Sequence, residues 1–488
     1  MPSANLAYGE KNISESTTTW TLRGLYGRLG YIYDDKYIAE FDFRRDMTSR
    51  FPHSSRTVFN PSGSVAWVVS KENFFQPLNK VFDQLKLRAS YGQLGNQDVS
   101  AYAYIPTMRA YTYGSLIGGT FPMTVGAPGL VSGNLTWEKV RTLDFGLDLV
   151  MLNNRLSLTA DIYRRDTKDM LTTQGRDLPS VLGTSVPQEN AADLKTIGWD
   201  ITVGWRDHFN LAGKPFHYSI DANMADSWAE ITKVANETGS LSSYYTGQRL
   251  GEIWGYQTEG IFATDEEAKN WANMSEVLYQ PGKYPQRAGT IKLADLNDDH
   301  KITRGAYTLK DHGDLKVIGN TSIRYRFGLT LGAQWNGIDF SAFFQGCLKH
   351  NYYPGWWDRD FWGFYSISWF YEPKNNLNRW TEENKNTNAW FPRLEQGNAH
   401  SLTKELSSQT KYLQDASYIR LKNLTIGYTL PASWLKNLPI TRVRVYYTGE
   451  NLFNINGLYS GYKADPENLG WQYYPIQRHH SLGVNITF

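Results

Sequence analysis

Residues 141–162 constrain the fold more than any other part of the chain. In 141–149, Leu143, Phe145, Leu147 and Leu149 share one parity, and Thr142, Asp144, Gly146 and Asp148 share the other. Asn153-Asn154 interrupts the pattern. Residues 155–162 then resume it, with Leu156, Leu158, Ala160 and Ile162 on one face and Arg155, Ser157, Thr159 and Asp161 opposite. A period of two belongs to an extended strand with one apolar and one polar side. Asn tolerates positive φ, so the Asn pair predicts a tight turn between two such strands.

The pattern recurs along the chain. Residues 323–335 carry apolar groups at nearly every odd position, Asn336-Gly337 supplies the strongest two-residue hairpin signal, and Ile338, Phe340, Ala342 and Phe344 continue beyond it. In 419–430 the apolar parity flips between Leu421 and Leu424, as a β-bulge requires. About thirteen strands are expected, near 17–33, 36–49, 62–71, 84–96, 136–151, 155–171, 193–206, 215–230, 321–335, 338–349, 415–430, 441–454 and 479–488. Many exceed the five or six residues usual in globular sheets, and a tilted membrane strand needs about 9–11.

The connections sort into two kinds. Asp34-Asp35, 72–83, Asn153-Asn154, 207–214, Asn336-Gly337 and 431–440 are short. With 50–61 as a modest exception, the connections between them are long: 97–135, 172–192, 231–320, 350–414 and 455–478. Strict alternation of short turns and long loops is the arrangement of an outer-membrane barrel, with turns at the periplasm and loops outside. The segments 231–320 and 350–414 are then the large extracellular loops.

Composition removes other classes. With a single cysteine, Cys347, the chain has no internal disulfide and no cysteine-based metal cluster. A formal charge of +2 is too balanced for a nucleic-acid binder that neutralises phosphates. Aromatics at 15% are too abundant for disorder. No apolar run is long enough for a membrane-spanning helix, and residues 1–19 lack the basic and apolar regions of a signal peptide.

The chain ends on an amphipathic strand in which Leu482, Val484, Ile486 and Phe488 share one face. A terminal Phe closing such a strand resembles the signal read by the barrel assembly machinery. The wording of 85–97 (LKLRASYGQLGNQ), 417–431 (SYIRLKNLTIGYTLP), 443–467 (VRVYYTGENLFNINGLYSGYKADPE) and 474–488 (YPIQRHHSLGVNITF) resembles the C-terminal half of SusC/RagA-type TonB-linked outer-membrane transporters. Residues 35–50 and 377–387 are similar to the same family, and the matches lie in family order. The resemblance implies a 22-stranded barrel in the outer membrane of a Gram-negative bacterium. It also implies an N-terminal plug, coupling to TonB, and a SusD-like surface lipoprotein that captures glycans or peptides. Against that pattern the sequence is expected to be a fragment: an all-β, antiparallel transmembrane β-barrel of about 13–14 of the 22 strands, without plug or TonB-contacting segment.

Three groups of residues invite chemistry. Asp295, Asn297 and Asp299 place oxygens at positions 1, 3 and 5 of an EF-hand-like loop, and the Lys301 carbonyl and Thr303 add to them, which suggests calcium. His300 stands where a Gly makes the sharp turn, and Ala306 where a bidentate Glu closes the loop; Asp311 and Asp314 are the possible substitutes, and a polar Asx-rich turn is the plain alternative. In 352–371, Trp356, Trp357 and Trp362 are candidates for stacking on sugar faces, against packing within a large loop or an interfacial girdle. His479-His480 reads as an interface pair, because adjacent strand residues face opposite ways. The zinc-protease, nucleophile-elbow and P-loop motifs are absent, and Cys347 reads as a bystander.

The leading expectation is therefore a non-enzymatic, TonB-linked importer, with oligosaccharides as cargo. Asp144, Asp148, Asp161, Arg324 and Arg326 are expected to face the lumen and the apolar parity to face lipid. A soluble all-β glycan-binding or glycan-cleaving protein is the alternative; it requires apolar faces sealed between two sheets. A passive pore or non-functional remnant is the lesser one.

Overall fold

The computed structural model describes residues 17–112, 114–133, 135–172, 186–278, 282, 285–355, 358–366, 372–394, 408–436, 438–470, 474 and 476–488. Thirteen strands form one antiparallel sheet in chain order: β1 (Leu22–Tyr33), β2 (Tyr37–Thr48), β3 (Thr57–Val68), β4 (Phe82–Asn96), β5 (Glu138–Met151), β6 (Leu156–Thr172), β7 (Glu189–Leu211), β8 (Lys214–Lys233), β9 (Arg324–Trp335), β10 (Ile338–Lys349), β11 (Tyr418–Thr429), β12 (Arg442–Asn456) and β13 (His479–Thr487). Every strand pairs with its sequence neighbour, so the sheet is an up-and-down meander with β1 and β13 at its two edges. Among the described residues, no helix is long and apolar enough to cross a membrane.

The turns form where the residues permit positive φ. Asp34 and Asp35 stand at +49° and +51°, Asn153 and Asn154 at +58° and +63°, and Asn336 and Gly337 at +47° and +84°. These are the residues that enter the left-handed region at least cost. The expected bulge is present: the β10–β11 register slips between Leu421 and Asn423, leaving Lys422 as the extra residue there, and the β11–β12 register shifts at the same place. One expectation is corrected. Residues 207–214 are not a loop, because β7 and β8 run on to a two-residue turn at Ala212-Gly213. Cross-strand ring pairs sustain them there, Phe209 with Phe216 at 5.0 Å and His208 with His217 at 5.4 Å.

The apolar parity stays in the open. Phe145 is 52% exposed, Ile162 56% and Leu482 84%. Among the described residues the only other sheets are two-stranded ribbons within the long connections. The two-layer arrangement required of a soluble sandwich is therefore not formed. A single sheet that leaves rows of Leu, Phe and Ile uncovered is out of place in water and at home in hydrocarbon.

The largest core lies outside the sheet. Residues from 256–315, 361–391, 412–416 and 458–462 share it, with Phe262, Met274, Ile291, Tyr365, Phe391 and Tyr412 fully buried. Three long connections thus fold together at one end of the sheet. Main-chain bonds knit them: Tyr256 N donates to Ser408 O at 2.8 Å, and Arg393 N to Gly289 O at 2.8 Å. A smaller cluster of Phe51, Val58, Val99, Leu135 and Trp137 gathers the connections nearer β2–β5.

Candidate functional site

The polar face of the sheet is a layer of ion pairs laid flat against the strands. Arg88 of β4 donates Nε to Asp148 Oδ2 at 2.9 Å and reaches Asp161 Oδ1 of β6 at 2.9 Å, crossing β5 at Gly146. A Cβ at Gly146 would lie 2.2 Å from Asp161 Oδ1, so only glycine leaves the crossing free. β10–β12 repeat the device: Arg444 crosses Gly427 to Asp339, with Nε donating at 2.8 Å. Arg206 and Asp221 pair at 2.7 Å beside Gly204. Charges removed from bulk water need partners, and these have them along the wall rather than across it. Asp144, Asp148 and Asp161 occupy the expected parity. Arg324 does not stand free on it: Tyr325, at φ +52°, breaks the alternation, and Arg324 forks onto the buried Asp226.

Over this wall sits the cluster of long connections, pinned by buried polar groups. Asp358, 3% exposed, accepts from Tyr352 Oη at 2.9 Å, from Tyr462 Oη and from Phe361 N, and so ties two connections together. Burial raises its carboxyl above the usual range, and the tyrosine hydroxyls oppose that rise. Tyr245 donates to Glu252 Oε2 at 2.5 Å and accepts from Trp254 Nε1 at 3.1 Å. Burial, aided by Glu252, pushes its hydroxyl up to about 12. Trp390 and Tyr459 stack at 4.1 Å, their planes 6° apart, a second tie between the same two connections.

The candidate residues fare differently. Trp356 and Trp357 lie outside the described residues. The expectation of sugar stacking at Trp362 is corrected. Trp362 is 3% exposed, donates Nε1 to the Pro354 and Gly355 carbonyls, and is covered by Phe361 at 4.7 Å and Tyr412 at 4.9 Å. Its ring is core because the connection that carries it folds back over it, which spacing along the chain does not reveal. Ring surface is open elsewhere: Tyr474, 75% exposed, lines an 880 Å³ cavity with Tyr459, Lys374, Lys463 and Asp465. No local motif marked those residues.

In the 295–303 loop, Asp295 Oδ2 accepts from His300 N at 2.8 Å, Asn297 Oδ1 from Asp299 N at 3.3 Å, and Asp299 Oδ1 from Lys301 N at 2.8 Å. Asp314 closes the loop, accepting from Leu296 N and Thr303 N, each at 2.8 Å. Asp295 Oδ1 is buried without a hydrogen-bond partner, an observation that fits a cation. Among the described residues, no three His, Cys, Asp or Glu side chains converge as a metal site. His480 Nδ1 lies 2.8 Å from Tyr447 Oη, and Cys347 is a buried free thiol.

Comparison with known proteins places these features. Residues 2–338 match the family model described as TonB dependent receptor-like, beta-barrel. The chain is 27% identical to TonB-dependent receptor P3 of Formosa agariphila over 96% of its own length and 45% of that protein's. It is likewise 27% identical to TonB-dependent receptor SusC of Bacteroides thetaiotaomicron, over 96% and 44%. The chain thus spans about half the length of these curated relatives. Among solved structures, the RagAB peptide transporter superposes with a TM-score of 0.74 at 24% identity, covering 96% of this chain and 47% of that one.

Proposed function

Since this chain belongs to the TonB-dependent receptor-like β-barrel family, a family of outer-membrane transport proteins rather than enzymes, we propose that it forms the barrel wall and outer vestibule of a SusC/RagA-type nutrient importer. The observation that carries this reading is the two-sidedness of a single sheet. Its exposed apolar rows suit lipid, and its flat ion-pair layer lines a water-filled passage. The loop cluster receives cargo from a SusD-like surface lipoprotein. TonB supplies the energy through a plug, and the barrel assembly machinery reads the amphipathic strand β13.

The cargo we propose is an oligosaccharide. The exposed ring of Tyr474, beside Lys374, Lys463 and Asp465, offers stacking and hydrogen bonds of the kind sugars take. Peptide cargo is the second reading, favoured by the fold shared with a peptide transporter. The 295–303 loop is proposed as a calcium site that stiffens the vestibule.

Uptake of fluorescent oligosaccharides and peptides of four to six units by cells with and without the protein tests this reading. Loss of oligosaccharide uptake that also requires an energised inner membrane is expected. Uptake that ignores de-energisation would reduce the protein to a passive pore, and recovery of the chain in the soluble fraction would end the importer reading. Calcium is tested by heat stability of the purified protein. Stabilisation by millimolar calcium, abolished by Asp295→Asn, is expected, and equal melting with chelator rejects the site.

A further inference from the structure

Arg326 on the polar wall differs from the arginines of the ion-pair layer. Arg28, Arg44, Arg88, Arg206 and Arg444 each hold at least one carboxylate. Arg326 is exposed and holds none among the described residues. It stands on β9, opposite Cys347 of β10 and Ala225 of β8. The next pair inward is a single row across three strands: Asn223 of β8, Gly328 of β9 and Gln345 of β10. Gly328 has no side chain, and the carboxamide of Asn223 lies 3.1 Å from where its Cβ would be. The result is a recess with a backbone floor, a carboxamide on each side and a guanidinium at its outer rim. It belongs to a 630 Å³ cavity that Tyr418 and Glu467 also line.

Glu467 does not neutralise Arg326. It is engaged by Arg420 Nε at 2.7 Å and Lys422 Nζ at 2.9 Å, while Arg420 also holds Asp465 at 2.5 Å. Arg420 and Lys422 thus engage both carboxylates, and neither carboxylate is turned to Arg326. A guanidinium with its fork free, flanked by amide donors in a concave site, is built to take a planar anion by two parallel hydrogen bonds.

We propose that Arg326, with Asn223 and Gln345, forms a carboxylate-recognition subsite in the outer vestibule, and that the oligosaccharide cargo carries a uronate at this position. The inference rests on the importer reading for its cargo. The carboxylate itself is argued from the unpaired guanidinium alone.

The test uses the protein extracted from its native outer membrane in detergent, and measures binding by calorimetry. The probes are a tetragalacturonate, the same tetrasaccharide fully methyl-esterified, and a tetrapeptide with a free or an amidated C-terminus. Tetragalacturonate is expected to bind more tightly than its ester. Arg326→Gln should weaken it by about 10–100-fold, and Arg326→Lys should restore part of the loss, because it keeps charge without the fork. Binding of the ester should change by less than about twofold, since it offers no charge to pair. Asn223→Ala serves as a second variant, with a smaller loss expected in the same direction. If acid and ester bind alike, if Arg326→Gln changes neither, or if no probe binds, the subsite is rejected while the importer reading keeps its own uptake test. If only the free-acid peptide binds, and depends on Arg326, the carboxylate subsite stands and the oligosaccharide reading falls.

Discussion

Arg88 and Asp161 stand two strands apart in the sheet, yet their side chains meet at 2.9 Å because the residue between them is Gly146. The contact is long in sequence and short in space, and it depends on a missing Cβ. Valine is the better strand residue by propensity, so on local grounds Gly146→Val should stabilise β5. We expect the opposite here. The new side chain would displace Arg88 from Asp161 and leave Asp161 without its partner, while Arg88 keeps Asp148, at a cost of about 1–3 kcal/mol. The shift between folded and unfolded bands on unheated gels, read against temperature, checks this. A variant that melts later than the parent would show that the bridge contributes nothing.

The lipid assignment of the apolar rows has its own test at Phe145, which is 52% exposed beside the lumen-side Asp144. Phe145→Arg should destabilise the membrane-inserted protein by about 2–4 kcal/mol, the range for a cation near mid-bilayer on a barrel exterior. Urea unfolding from vesicles measures it. An unchanged midpoint would place Phe145 outside the hydrocarbon.

Asp358 is the buried knot of the vestibule. Asp358→Ala removes the carboxylate that accepts from the hydroxyls of Tyr352 and Tyr462 and ties their two connections together. We expect the loop cluster to lose about 2–4 kcal/mol while the sheet keeps its stability. Limited proteolysis should then cut within 350–394 and 455–470 first. Protection equal to the parent's would mean that the apolar core alone holds the loops.

His350 leaves β10 where the vestibule begins. Burial holds its imidazole below the ordinary value of 6.5. A hydrogen bond with Ala416 and the charge of Asp415 act the other way, and Arg326 adds to the lowering. For a base whose folded value is depressed, stability is fully present above pH 6.5 and is lost as pH falls through the folded value. The junction between β10 and the loop cluster should therefore loosen on acidification below 6.5, and His350→Gln should flatten that dependence. Thermal unfolding followed by tryptophan emission at several pH values between 5 and 8 reads it. A parent and variant with parallel profiles would assign the acid sensitivity to another group.

Local pattern carried the sheet because strand, turn and bulge each depend on residues within a few positions of one another. Leu143–Leu149 showed parity, Asn336-Gly337 showed the turn, and the flip at Leu421 to Leu424 showed the extra residue at Lys422. The turn at Ala212-Gly213 was missed because the alternation through Phe209 and Phe216 is carried by ring pairs between strands, which a single run does not display.

The site divides along the same line. The alternation written into the chain determined that one face would be greasy and the other polar, since a side chain's face follows from its parity. Only the tertiary structure decided that Trp362 would be buried, in a core that three connections share. It also decided that Arg88 would find Asp161 across a glycine, and that Arg326, on the same face, would meet no carboxylate among the described residues. Parity is a property of neighbours along the backbone. Which charge meets which depends on register across strands and on the closure of distant loops, and nothing local in the chain encodes either.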